Sequence, residues 1–355
     1  MRAMARLVAS GLVAAACVGA ARAQGADDGG AVLKSPLPAP VFAPFGERAV
    51  AAIGSGGAGA VVVVELAGET SVRVVSERGV DPFAALPRWS PDGSRVAWSY
   101  GSAAMVSGLE EGATPEKRAT GKDLAEFDPT EDWALVARGT YSPDGVRVAF
   151  VVPRGERAGT YTAPVIGGKT TRVHAGTASV IAWSADGKKL ALAIPKKQIV
   201  VCGPAGEDAK EIGGPSPEGP VALRFTADGA ALLVFAGSEL RRHPIDGGEA
   251  GEPREIVGGA HGEAVAAAWS PADEILAIVT DRGVLGLVKG EGGKLVKLSA
   301  DGARLMSGPA WSQDGARLAA LEWGGPGEVA FTAYEAATGK VQRVPLFYNP
   351  SERED

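Results

Sequence analysis

Three histidines, His174, His243 and His261, are the side chains in this chain best placed by type to hold a metal or move a proton near neutral pH. Either task needs several His, Cys, Asp or Glu groups to converge on one point. The sequence around them offers no Asp-x-Asp-x-Asp calcium loop, no glycine-rich phosphate loop with a Lys and no Gly-x-Ser-x-Gly nucleophile elbow. Cys202 follows Ile199, Val200 and Val201 and reads as an inert thiol in a buried strand. The residues therefore assign no catalytic group, no cofactor and no metal ligand.

Interaction chemistry is concentrated instead in one stretch, Gly121 to Trp133. Five acids there, Asp123, Glu126, Asp128, Glu131 and Asp132, are interleaved with Leu124, Phe127 and Trp133. Loops on a rigid scaffold often carry function, and aromatics anchor interfaces. A partner contact through Asp123, Glu126, Phe127, Asp128, Glu131, Asp132 and Trp133 is the functional expectation. A solvated loop pinned by its own aromatics is the alternative.

What must position these groups is a repeat. Copies run WSPDGSRVAW from Trp89, YSPDGVRVAF from Tyr141, WSADGKKLAL from Trp183, FTADGAALLV from Phe225, WSPADEILAI from Trp269 and WSQDGARLAA from Trp311. Their spacings are 52, 42, 42, 44 and 42 residues, the size of a four-stranded propeller blade. The turn chemistry is local: Pro presets φ, Asp bonds backbone amides further on, and Gly accepts positive φ. Asp92, Asp144, Asp186, Asp228 and Asp314, with Gly93, Gly145, Gly187, Gly229 and Gly315, are accordingly turn formers. The head aromatics Trp89, Tyr141, Trp183, Phe225, Trp269 and Trp311 are read as packing residues between blades. Each copy supplies a strand before the aromatic, one after the turn, and two more joined by a Gly-rich turn such as Thr338-Gly339-Lys340. A single blade cannot bury its own faces, whereas a ring of blades buries them and leaves only short edges.

The fold expected is therefore all-β, a β-propeller of four-stranded antiparallel blades. Pro44 to Ala51 reads as a worn further copy headed by Phe45, 44 residues before Trp89 and two residues shorter in the turn. Seven blades over residues 38–347 fit the period better than six, which stays open as the alternative. In this frame His174, nine residues before Trp183, and His261, eight before Trp269, fall in blade-to-blade loops on one rim. A blade between them keeps them from sharing a metal, and a solvated or loop-capping role is the plainer reading. The Gly121–Trp133 stretch is the surplus of about ten residues that lengthens the spacing to 52, and it belongs to the same rim.

The N-terminus reads as an export signal over residues 1–23. Arg2 and Arg6 precede an uncharged, mostly apolar run from Leu7 to Ala20, and Ala21-Arg22-Ala23 forms a cleavage site. The run is short for a membrane span, which needs roughly 20 apolar residues. Ala14-Ala15-Ala16-Cys17 opens a second possibility, a lipid anchor at Cys17. Residues 24–37 read as a lead-in and 348–355 as a charged tail. Cleavage after Ala23 leaves 33 basic and 42 acidic residues, a net charge of −9, which argues against nucleic acid and anionic membrane surfaces. It also leaves one cysteine, so no intramolecular disulfide.

The string W-S-P-D-G followed by x-x-Val/Leu-Ala-Trp/Phe, then a third strand and a Thr-Gly-Lys-like turn, resembles the WD40-like repeat of TolB-type periplasmic propellers. The resemblance covers about residues 38–347 and has no counterpart here to the α/β domain that precedes the propeller in TolB itself. It implies an exported propeller used for contacts, periplasmic or secreted, with a protein partner in the cell envelope. The leading functional expectation is a non-enzymatic interaction scaffold. The alternative is a propeller enzyme, a hydrolase or lyase, with its site at the mouth of the central channel. The first strands, such as Val180-Ile181-Ala182, Val221-Ala222-Leu223 and Ala264-Val265-Ala266, are too apolar to favour it. A carbohydrate-binding propeller ranks last, with only Trp133 and Trp323 as exposed-aromatic candidates.

Overall fold

The computed structural model describes residues 37–347 except 45–46, 55–58, 77–78, 91, 101–102, 111, 119–139, 153–156, 166–167, 196–197, 213–220 and 326–327. The expected signal peptide, Cys17, the tail and the whole Gly121–Trp133 loop lie outside the described residues. Within them the chain makes seven four-stranded antiparallel sheets, each a meander in chain order. Blade 1 is β1 (Val41–Phe42), β2 (Arg48–Ile53), β3 (Ala60–Glu65) and β4 (Ser71–Val74). Blade 2 is β5 (Arg88–Trp89), β6 (Arg95–Tyr100), β7 (Ala103–Gly108) and β8 (Glu116–Arg118). Blade 3 is β9 (Thr140–Tyr141), β10 (Arg147–Val152), β11 (Gly159–Pro164) and β12 (Thr171–His174). Blade 4 is β13 (Val180–Trp183), β14 (Leu190–Ala193), β15 (Ile199–Cys202) and β16 (Lys210–Ile212). Blade 5 is β17 (Val221–Phe225), β18 (Ala231–Ala236), β19 (Glu239–Pro244) and β20 (Arg254–Glu255). Blade 6 is β21 (Ala264–Trp269), β22 (Ile275–Thr280), β23 (Leu285–Lys289) and β24 (Val296–Lys297). Blade 7 is β25 (Ala310–Trp311), β26 (Arg317–Gly325), β27 (Glu328–Glu335) and β28 (Val341–Phe347). The count is seven, as the period favours.

The motif turn is a self-contained hydrogen-bonded unit. In the second blade the Ser90 hydroxyl donates to Asp92 Oδ1 at 2.5 Å, and the same carboxylate oxygen accepts from the Ser94 N–H at 3.1 Å. The pattern recurs with Ser142 and Asp144, Ser184 and Asp186, Thr226 and Asp228, and Ser312 and Asp314. The glycine after each aspartate sits at φ between 66° and 71°, a left-handed conformation that a Cβ makes costly. Blade 6 replaces this turn with Ser-Pro-Ala-Asp-Glu, where Ser270 Oγ accepts from the Ala272 and Asp273 N–H groups at 3.3 Å.

Register corrects the reading of the first copy. Every head aromatic opposes the residue seven positions on, as in Trp89↔Val96 and Trp183↔Leu190. In blade 1 that pair is Phe42↔Ala49. Phe42, not Phe45, is the head, and Phe42-Ala43-Pro44-Phe45-Gly46-Glu47-Arg48 aligns with Trp89 to Arg95 without a gap. The copy is of full length; Phe45 stands where five of the others have Asp and blade 6 has Ala272.

Heads other than Tyr141, which clusters within its own blade, pack between blades. Trp89 joins a cluster with Val50, Ala52 and Val61 of blade 1, and Trp311 one with Ala277, Val279 and Leu287 of blade 6. Three indoles also donate back to the preceding blade's first strand: Trp89 to Val41 O at 2.8 Å, Trp183 to Thr140 O and Trp311 to Ala268 O at 3.0 Å. Each of these carbonyls immediately precedes the head of the blade before, so one bond ties two copies at the same register.

Among the described strands, those of the first and last blades each come from that blade's own stretch of chain. Blade 7 meets blade 1 through a shared cluster that includes Phe42, Ile53, Val62 and Val64 on one side and Leu321, Phe331, Val344 and Leu346 on the other. Phe42 and Phe331 meet edge to face, with centroids 6.4 Å apart. Leu37, 3% exposed, enters this cluster from the lead-in side. Its N–H donates to Met306 O at 2.6 Å, and it bridges Ser307 in parallel.

Candidate functional site

A four-stranded meander alternates direction, so it sends two families of loops to opposite rims. Blade-to-blade loops and the loops between second and third strands share one rim; the motif turns and the turns between third and fourth strands share the other. His174, the last residue of β12, lies on the first rim, and its Nδ1 accepts from the Gly176 N–H at 2.8 Å. That nitrogen is thereby occupied in capping its own loop. His261 is exposed at the end of a one-turn 3-10 helix, Gly259–His261, on the same rim. Blades 4 and 5 both stand between the two histidines, one blade more than the single one expected. His243 lies in β19, 7% exposed, and burial first, then the Arg241 charge, pushes its imidazole below 6.5. Among the described residues no group of three or more His, Cys, Asp or Glu side chains is arranged to hold a metal ion.

The His261 loop is braced rather than loose. Asp281, in the loop after β22, accepts from the Glu263 N–H at 3.0 Å, and Arg282 Nη1 donates to Ala260 O at 3.2 Å. Among the described residues two large aromatic side chains stand out on this rim: Phe83, 43% exposed between blades 1 and 2, and Trp323, 41% exposed at the end of β26. The Arg304 guanidinium lies 4.7 Å from the Trp323 ring centroid, a cation–π contact that fixes the indole in place. Phe83 escaped the sequence reading because nothing in Val80-Asp81-Pro82-Phe83 distinguishes an exposed aromatic from a buried one.

Sequence reasoning also missed two arginines at equivalent positions, each immediately before a head aromatic or its blade's turn. Arg88, in β5, donates from Nη1 to Leu86 O at 3.0 Å, and burial pushes its guanidinium down to about 10. Arg224, in β17, donates from Nη1 to Ser270 O of blade 6 at 2.5 Å. Burial lowers it too, against the opposing charges of Glu274 and Asp273. Arg224 thus reaches the next blade, whereas Arg88 turns back on the segment that leads into its own strand. None of the described first strands carries a His, Asp or Glu. Cys202 is 4% exposed, and burial first and Glu207 second push its thiol up to about 11.

No protein-family profile and no curated protein matches this sequence. Among solved structures, the C-terminal WD40 domain of Sif2 aligns over 86% of this chain and 84% of its own, at 16% identity and a TM-score of 0.49. TolB from Acinetobacter baumannii aligns over 84% of this chain and 79% of its own, at 12% identity and a TM-score of 0.47. Both are β-propellers, as is this chain. The likeness to WD40-like and TolB-like propellers read from the repeat is one of fold. The blade count rests on the strand register of this propeller itself.

Proposed function

We propose that the propeller is an exported, non-enzymatic scaffold that presents its blade-to-blade rim to a protein partner in the cell envelope. The observation that carries this reading is the division of labour between the rims. On the motif rim the aspartates are engaged by their own turns, five times over. On the opposite rim Phe83 and Trp323 are exposed, the second held by Arg304, and exposed aromatics serve as anchors at interfaces. The Gly121–Trp133 stretch joins β8 to β9 in the sequence, and its Phe127 and Trp133 are proposed as the principal anchors of the contact, with Asp123, Glu126, Asp128, Glu131 and Asp132 beside them. His174 and His261 lie on the blade-to-blade rim. Export is proposed from the first 23 residues, with a lipid anchor at Cys17 as the competing form.

The test is capture from the native cell envelope with the mature chain beside the F127A/W133A double variant. A protein held by the first and lost with the second, at equal thermal stability, supports the reading. Equal capture by both sinks the loop as the anchor. Intact mass of the native protein separates cleavage after Ala23 from lipid attachment at Cys17.

A further inference from the structure

On the motif rim, where the chain closes on itself, blades 7 and 1 leave a cleft of about 360 Å³. Leu66 of blade 1 and Arg317, Ala333, Glu335, Lys340 and Gln342 of blade 7 line it. The volume falls within the ~300–1,000 Å³ typical of small-ligand sites. Two cations, Arg317 and Lys340, reach the cleft, each beside a carboxylate, Glu47 for the first and Glu335 for the second.

Neither cation is fully satisfied. Arg317 donates from Nη2 to Glu47 Oε1 at 2.6 Å, but its Nη1 is out of solvent with no acceptor. The Lys340 side chain is 76% exposed and its ammonium stands 3.9 Å from Glu335, whose other oxygen already accepts from the Thr338 hydroxyl at 2.8 Å. Gln342 Nε2 is tied across the seam to Thr70 Oγ1 at 3.0 Å and Leu66 O at 3.4 Å, which holds the two walls in register. Leu66 and Ala333, both 4% exposed, give an apolar floor.

We propose that this cleft binds a small organic anion, with its carboxylate against Lys340 and Arg317 and its carbon skeleton on Leu66 and Ala333. The ligand touches both ends of the propeller, so it joins two blades that no blade-to-blade loop connects. Occupancy therefore stabilises the closed ring. The site stands on the opposite rim from the partner contact, and neither depends on the other.

The experiment is thermal unfolding of the full mature chain during a titration with succinate at constant ionic strength, with sodium chloride as the control. A ligand that binds only the folded state raises Tm along a saturable curve. Lys340→Ala removes a mostly exposed ammonium and leaves the fold standing. It should require about tenfold more succinate for the same shift, the effect of losing one charged hydrogen bond. Arg317→Gln should flatten the curve further. Backbone amides of β1 and β28 should gain exchange protection with succinate, while those of β14 and β15 should not. A rise no larger than that with chloride, or a curve unchanged in both variants, overturns the proposal. Envelope capture by Lys340→Ala stays as in the unaltered chain, so failure here leaves the scaffold reading untouched.

Discussion

Asp92, Asp144, Asp186, Asp228 and Asp314 repeat one local device, and its pH signature can be worked out from their shifts. Each carboxyl is held below its ordinary 3.8, first by the hydroxyl of the motif Ser or Thr two residues before it. A carboxyl lowered in the folded state stabilises the fold above its unfolded value, and that contribution is lost as pH falls through the folded one. Stability should therefore be level from pH 7 to about 5 and fall below about 4 as the five turns take up protons. Urea midpoints measured from pH 7 to 3 check this, and a flat profile would refute it. Removing one such acceptor, Asp92→Ala, should cost about 1 kcal/mol through the turn's lost hydrogen bonds. Cys202 makes the opposite kind of residue-scale prediction. With its thiol pushed up to about 11 in a 4% exposed site, labelling by a thiol reagent at pH 8 should follow unfolding in urea. Rapid labelling of the folded protein would contradict its burial.

At the scale of the element, the blade was legible wherever short-range chemistry sets it. The glycine of each motif turn lies at φ near 68°, as Gly93 and Gly187 do, so Gly187→Ala should cost about 1–2 kcal/mol by forcing a Cβ into that region. A chemical-denaturation midpoint equal to that of the unaltered chain would mean the turn re-forms in another type. Blade 6 shows that such a change of type is possible, since Ser270 organises its turn without a glycine. The strands were readable for the same reason: a turn string followed by alternating or wholly apolar residues is a local signal. What the string concealed was register. Phe45 before Gly46 reads as the head of a shortened turn, whereas pairing with Ala49 makes Phe42 the head. The site fared worse, because exposure is decided by the neighbouring blade. Arg224 looks like a solvated strand residue until its bond to Ser270 O places it against the next blade. Phe83 looks like core until its loop is seen to leave it outside. Counting from the next Trp gives His174 and His261 a place in the chain, but the hydrogen bond that occupies His174 depends on the fold of Gly176.

For the whole molecule, the decisive contrast is between six seams crossed by a continuous chain and one that is not. A ring of blades resembles a linear repeat array in that each unit contacts only its neighbours, so its stability is close to a sum of unit and seam terms. Cutting or weakening one seam should then open that seam locally before the rest unfolds. The seam between blades 7 and 1 has no loop to limit such opening. It relies on the shared cluster, the Arg317–Glu47 pair and Leu37, whose N–H reaches Met306 O. Leu37 thus does at this seam what a covalent connection does at the others, although it lies before the first strand of the first blade. Leu37→Ala should cost about 2–5 kcal/mol, the usual range for a buried leucine cut to alanine. Leu192→Ala, at the seam between blades 3 and 4, should cost a similar amount in global stability. The two should differ in where native-state hydrogen exchange accelerates. For Leu37→Ala the gain should fall on β1, β2 and β25 to β28, with the middle blades still protected. For Leu192→Ala a loop still joins the two blades, so local opening should be confined and the loss should appear mainly in global unfolding. Identical exchange patterns in the two variants would show that the closing seam is no weaker than the rest, and that the ring behaves as one cooperative unit.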